Sequence, residues 1–249
     1  MCLLAFAWRP GQPQPLLVLA NRDEFYARPS QALSEWPDSP GLFAGRDLQA
    51  GGTWLGVDRR GRFAALTNIR DPRQPPGQHS RGALPRDFLQ GELSITDYLA
   101  RLQAQLPRYA GFNLLLGDGQ QLCHLNARSG QARVLAPGLY ALSNADLDSP
   151  WPKLLRLRQG LAEHLDADDE RLLELLADRQ PATDAELPDT GIGQASERLL
   201  SSIFIHSAHY GTRASTLLRQ FADGRQQLRE RRFGPLGQAL GETRLHLPG

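Results

Sequence analysis

The residue best placed to do chemistry in this chain is Cys2. Initiator methionine is normally removed before a small residue, and removal would leave Cys2 with a thiol and a free α-amine. The ordinary pKa values are about 7.7–8.0 for the amine and about 8.5 for the thiol. The amine can therefore take the thiol proton near neutral pH, directly or through a water. One residue would then hold both nucleophile and general base. Its thiolate suits amides, thioesters and lactams. The plain alternative is a small apolar residue filling the first strand.

A polar cluster, Asn21-Arg22-Asp23-Glu24, ends the second apolar run. A carboxylate at Asp23 or Glu24 can hold the amine, and Arg22 can polarise the thiol or grip a carboxylate with its planar fork. The bland reading of the cluster is a salt-bridged surface turn. Asn144, and less directly Asn68, can donate amide N–H groups to an oxyanion, where losing one donor costs about 2.7–4 kcal/mol. Each also suits a turn. Thr53 and Trp54 can line a pocket or pack in the core. Arg213 can bind an anionic group of a ligand or pair with a carboxylate. Cys123 falls in a predicted strand and reads as inert core. His206 and His209 form H-x-x-H across a strand end, which is poor metal geometry, so no metal is assigned. The glycine pairs match neither a P-loop nor a dinucleotide fingerprint.

The elements that must position these residues begin with a hairpin. Residues 2–8 are an apolar strand, 9–15 a loop with three prolines and a glycine, and 16–20 a second strand. Antiparallel pairing returns 21–24 to the neighbourhood of Cys2. Alternation puts Asn21 and Asp23 on one face and Arg22 and Glu24 on the other, leaving open which pair meets Cys2. Residues 51–57 lead to a turn at 58–61 and a strand over 62–69. Helices are predicted over 84–90 and from the N-cap Ser94 to Leu106, ended by Pro107. Short strands follow at 112–116, 121–126, 132–135 and 140–143. Leucine spacing predicts two amphipathic helices between 151 and 178. Residues 181–193 read as a loop. Strands return at 202–206, 212–220 and 227–233, with an Asp223-Gly224 turn and an irregular tail. The simplest architecture is one α+β domain over 2–249, with helices packed on sheet faces.

Composition narrows the function classes. The chain has 249 residues, 41% hydrophobic and 22% charged, with a formal net charge of +1. This near-neutral balance gives no electrostatic reason to expect a nucleic-acid partner. No apolar run approaches the ~20 residues that span a bilayer, and no signal peptide is visible, so a cytoplasmic protein without stable membrane insertion is expected. Two cysteines make no disulfide framework. Lys153 is the only lysine among 28 basic residues.

The motif Asn21-Arg22-Asp23-Glu24-Phe25-Tyr26-Ala27-Arg28-Pro29 resembles the one that names the NRDE family, homologues of the transport and Golgi organisation proteins. Further segments match in order: Gly45-Arg46-Asp47, Gly51-Gly52-Thr53-Trp54-Leu55-Gly56, Thr67-Asn68-Ile69-Arg70, Ser80-Arg81-Gly82, Leu142-Ser143-Asn144-Ala145, Ser149-Pro150-Trp151-Pro152-Lys153 and Tyr210-Gly211-Thr212-Arg213. The family has been tied to haem handling and to acyl-CoA or lipid metabolism. That implies a small-molecule or lipid-like ligand, with haem a possible ligand and no cofactor required. The layout is also similar to the cysteine branch of N-terminal-nucleophile hydrolases, which begin with a nucleophilic cysteine, carry Arg-x-x-Asp at the end of the second strand and use asparagines nearby. This implies a four-layer αββα sandwich with two mostly antiparallel sheets. It also implies catalytic roles for Cys2, Asn144 and Asn68. Aligned on the strand end, Asn21 falls where those hydrolases have arginine and Glu24 where they have aspartate, so Arg22 and Asp23 are one position out of phase.

Overall fold

The computed structural model describes residues 2–249; Met1, on whose removal a free Cys2 amine depends, lies outside the described residues. The two apolar runs at the start fold into β1 (Cys2–Trp8) and β2 (Leu16–Phe25), joined by the proline-rich loop. Strand β2 does not stop at residue 20. It runs through the polar cluster to Phe25, because β11 pairs with it along that whole length. Next come β3 (Ser30–Trp36), β4 (Ser39–Asp47), β5 (Leu55–Asp58) and β6 (Phe63–Asn68). Helices α1 (Ala83–Gln90) and α2 (Ile95–Gln103) lead to β7 (Phe112–Gly117), β8 (Leu122–Asn126), β9 (Gln131–Val134) and β10 (Gly138–Leu142). Helices α3 (Pro152–Glu163), α4 (Asp169–Leu175) and α5 (Gln194–Leu199) precede β11 (Tyr210–Gln220), β12 (Gln226–Phe233) and β13 (Ala239–Leu247).

The strands form two antiparallel sheets. One has the order β10-β1-β2-β11-β12-β13, the other β3-β4-β5-β6-β7-β8-β9. Three apolar layers fix the stacking. Cys2, Leu4, Phe6, Trp8, Val18 and Ala20 face the second sheet and meet Phe43, Val57, Phe63 and Leu115. Their alternates Leu3, Ala5, Leu17 and Leu19 pack on Leu154, Leu157 and Leu161 of α3 and Leu172 of α4. On the far side, α1 and α2 cover the second sheet through Leu84, Phe88, Ile95 and Leu102. The order is therefore αββα, the α+β sandwich expected.

Several expectations need correction. Helix α2 begins at the predicted cap, where Ser94 Oγ accepts from the Asp97 N–H at 3.1 Å. It ends at Gln103, and Leu106 and Pro107 form a separate 3₁₀ turn. A proline ring clashes with the carbonyl four residues back, here Gln103, so the helix stops a turn early. Residues 202–206 are an apolar strap that makes one bridge, His206 to Gly211, rather than a strand. The tail is not irregular: β13 pairs with β12 along the sheet edge. Strands β3 and β4 and helix α5 were not anticipated.

Polar side chains stitch the two sheets together across the sandwich. Gln226 Nε2 donates to the Asp58 carbonyl at 2.8 Å and Gln220 Nε2 to the Gly61 carbonyl at 3.0 Å. Glu230 of β12, only 2% exposed, accepts from the Leu33 N–H of β3 at 2.8 Å.

Candidate active site

Cys2 pairs directly with Arg22 across the β1–β2 ladder. The register settles the open question of faces: Arg22 and Glu24 share the Cys2 side, while Asn21 and Asp23 follow Leu17 and Leu19 toward the helices. A cleft of about 540 Å³ opens where β1 begins and β2 runs out. Cys2, Arg22, Asp23, Glu24, Thr53, Trp54 and Asn68 all line it. Sequence reasoning thus assembled seven wall residues, although they come from four separated segments.

Arg22 is the central cation. It is 5% exposed, its guanidinium lies 4.2 Å from the centre of the Trp54 ring, and Nη2 is 3.8 Å from Asp47 Oδ2. Among the described residues, Nη1 has no hydrogen-bond partner. Asp47 is tied more tightly elsewhere, accepting from Arg28 Nε at 2.7 Å and from the Gln49 N–H at 3.0 Å. Burial pushes the Cys2 thiol up, and Arg22 opposes that rise. The resting sulfur is thus a thiol that needs a base to become a nucleophile.

The Gly-Gly-Thr-Trp segment is shaped for this wall. A side chain at Gly52 would bring its Cβ to 2.3 Å from the Gly82 carbonyl carbon, so two backbones touch here. Gly45 leaves room in the same way for the Trp54 ring, 2.3 Å from where its Cβ would stand. Thr53 donates Oγ1–H to the Leu55 carbonyl at 3.1 Å and its N–H to Gly82 at 2.9 Å.

Asn21 and Arg213 are not among the cleft-lining residues. Asn21 is fully buried beneath the sheet, donating Nδ2–H to the Leu176 and Ile203 carbonyls at 2.9 Å each and accepting from Ser215 Oγ at 2.6 Å. Its one-residue offset from Cys2 is the reason, since odd positions of β2 point to the helices. Asn21→Ala is accordingly expected to lower stability by roughly 3 kcal/mol, because two buried carbonyls lose their donor. A lower urea midpoint with unchanged Cys2 reactivity is the result to look for. Arg213 sits at a bulge in β11, and its Nη1 donates to the backbone carbonyls of Phe25, Tyr26 and Arg28. It clamps the turn after β2 through that one nitrogen.

The two asparagines divide their work. Asn144 is 1% exposed and commits an amide N–H to the Asn68 carbonyl at 2.8 Å. Asn68 lines the cleft itself. Beside them, Ser143 Oγ donates to the Cys2 carbonyl at 3.0 Å and Thr67 Oγ1 to the Ser143 carbonyl at 2.5 Å. Asn113 Nδ2 reaches Thr67 Oγ1 at 3.1 Å, and His124 Nε2 bonds Asn113 Oδ1 at 3.1 Å. Burial pulls His124 down to about 4, so it is neutral at pH 7 and fixes this chain under Cys2.

Asp23 lies at the junction of cleft and helix layer. It is 1% exposed and accepts from Thr212 Oγ1 at 2.7 Å. Burial raises its pKa, and Lys153 is the strongest influence against that rise. Lys153, Arg81 and Asp47 were missed as site residues. Each stood in a matched segment, yet nothing local marked it as chemical. Cys123 is buried between the second sheet and its helices. Among the described residues no group of three His, Cys, Asp or Glu side chains can hold a metal. No described helix is long and apolar enough to cross a membrane.

Two antiparallel sheets between helical layers define an αββα sandwich with a thiol on its first strand at a polar cleft. The chain belongs to the Transport and Golgi organisation 2 family, which matches residues 1–235. It is 33% identical over 270 residues to the human Transport and Golgi organization protein 2 homolog, covering 99% of this chain and 98% of that one. The mouse homolog is 33% identical over 255 residues, covering 93% and 92%. The Drosophila melanogaster Transport and Golgi organization protein 2 is 27% identical over 197 residues, covering 71% and 69%. Among solved structures, a Caenorhabditis elegans N-acylethanolamine-hydrolyzing acid amidase ortholog is similar with a TM-score of 0.47 and 10% identity, over 71% of this chain and 86% of that chain.

Proposed function

We propose that this protein is an N-terminal-cysteine hydrolase that cleaves a C–N amide or thioester bond of a small or lipid-like molecule. The observation that carries this reading is the Cys2–Arg22 pair at the cleft wall, with Asp23 next along the strand. Removal of Met1 would free the Cys2 amine. The amine takes the thiol proton as Sγ bonds to the substrate carbonyl carbon, and the carbonyl electron pair moves to oxygen. The Asn68 side chain, in the cleft, is the donor for that oxygen, while Asn144 holds the Asn68 backbone. Collapse breaks the C–N or C–S bond, and the amine's proton goes to the leaving group. Water then attacks the thioester on Sγ, losing a proton to the amine, and Sγ leaves and is reprotonated.

The test is intact mass combined with a thiol-reactive acyl probe. The expected result is loss of Met1 and faster labelling at Cys2 than at Cys123. A retained Met1, or equal labelling of the two thiols, overturns the hydrolase. The cleft would then serve binding or trafficking of haem or an acyl-CoA- or lipid-like metabolite. A haem titration with a Soret shift at micromolar protein would support haem as that ligand.

A further inference from the structure

A guanidinium carries five N–H donors and loses its water on burial, so a buried arginine needs acceptors. Arg22 is 5% exposed and is short of them. Among the described residues its Nη1 donates to nothing, and its Nη2 stands 3.8 Å from Asp47 Oδ2, beyond hydrogen-bonding range. Yet the side chain is held firmly. Arg22 lies opposite Cys2 in the ladder, and its guanidinium rests 4.2 Å from the centre of the Trp54 ring. That ring is itself locked, since a Cβ at Gly45 would meet it at 2.3 Å. Stacking covers a face of the guanidinium and leaves its in-plane N–H groups, the edge that fits both oxygens of one carboxylate. The side chain that carries this under-bonded edge lines the cleft together with Cys2.

The charges around the cleft select the anion. Arg22, Arg28 and Arg81 line it, and so do Asp23, Glu24 and Asp47. Such a balanced wall makes no sink for a polyanion. Arg28 and Asp47 neutralise each other at 2.7 Å, and Arg81 donates Nη1 to the Gly111 carbonyl at 3.0 Å. Arg22 therefore offers a single positive charge, which one carboxylate matches and a phosphate dianion exceeds. Directly opposed residues on one face of a sheet have Cβ atoms about 4.5–5.5 Å apart. A carboxylate on Arg22 and a carbonyl on Sγ thus belong to neighbouring parts of one molecule.

We propose that Arg22 is the anion-binding residue of the cleft, and that the substrate is an acyl compound with a carboxylate beside its scissile bond; this rests on the hydrolase reading above. An N-acylated α-amino acid has that form. One carbon separates its amide nitrogen from its carboxylate, and hydrolysis releases the free amino acid and the acyl group as its acid.

The experiment compares alkylation of Cys2 by iodoacetate and by iodoacetamide, assigned by peptide mapping. In both, Sγ bonds to the methylene carbon and iodide leaves; only iodoacetate brings a carboxylate, one bond from the reacting carbon. The ratio of the two rates cancels any change in thiol acidity, so a merely structural effect of a variant does not move it. Relative to N-acetylcysteine in solution, the ratio at Cys2 is expected to favour iodoacetate by about tenfold or more. Acetate is expected to protect Cys2 from iodoacetate better than inorganic phosphate at equal concentration. Arg22→Gln is expected to bring the ratio down to that of N-acetylcysteine, and Arg22→Lys, a point charge without the fork, to an intermediate value. Should the variants not fold, the wild-type ratio and the protection decide alone. A wild-type ratio equal to that of N-acetylcysteine, stronger protection by phosphate, or an undiminished preference in R22Q overturns the inference and leaves the hydrolase standing. A Cys2 unreactive toward both reagents at every pH overturns the hydrolase and the inference with it.

Discussion

Replacing Cys2 by alanine is expected to reduce turnover of any amide or thioester substrate by about a thousandfold or more. The change removes the atom that forms the acyl bond and leaves the amine, Arg22 and the asparagines in place. Its structural cost is small, because the thiol is the last side chain of the intersheet layer and borders the cleft. Loss of activity with an unchanged thermal midpoint is therefore the signature. Cys2→Ser is the companion variant. It keeps the shape but raises the acidity barrier, since the amine must then deprotonate a hydroxyl. A C2A protein that retains full turnover would remove Cys2 from the chemistry altogether.

The second large effect is on stability and its dependence on pH. Glu230 is 2% exposed, and burial raises its carboxyl from 4.5 to about 7. Between those values the folded chain holds a proton that the unfolded chain has lost. Stability therefore falls as pH rises through this window, and the cost is fully present above pH 7. Glu230→Gln cannot ionise, yet its amide oxygen can still accept from the Leu33 N–H. The difference in unfolding free energy between variant and wild type is expected to shift in the variant's favour by about 3 kcal/mol from pH 4.5 to pH 8.5. Urea unfolding at the two pH values measures it. A difference that stays flat across the range would mean that Glu230 is solvated or paired in solution.

What the sequence disclosed and withheld follows from where each residue's partners lie. The first hairpin was legible because its strands are two short, continuous apolar runs and its loop is proline-rich. Their antiparallel pairing alone puts the polar cluster beside Cys2. Faces were legible too, since a period of two fixes which residues travel together. Which face met the thiol depended on the register, and the pairing of Cys2 with Arg22 is set by the whole ladder down to Trp8 and Leu16. Strands β3 and β4 were hidden because their register slips between Gln31 and Ser34 and again between Glu35 and Trp36, which destroys the alternation. Strand β13 was hidden because it is an exposed edge with little apolar signal. Helix α5 is only six residues long. Lys153 was visible as the sole lysine, but its burial is made by residues around 200 and by β2, far away in sequence. Asn21 showed the reverse: a motif residue whose partners, Leu176 and Ile203, make it a fastener for the helix layer.

Strand β2 divides its side chains between two compartments, Arg22 to the cleft and Asn21 to the helix layer. Insertions and deletions should therefore have sharply different outcomes by site. The loop over 10–15 is mostly exposed and ends both strands, so its length is free to drift. Deleting a single residue between Leu16 and Ala20 would instead exchange the compartments, sending a guanidinium among the leucines of α3 and α4 and an amide opposite the thiol. Natural or engineered length variants of this hairpin should cluster in the loop and be absent from the five residues that follow it.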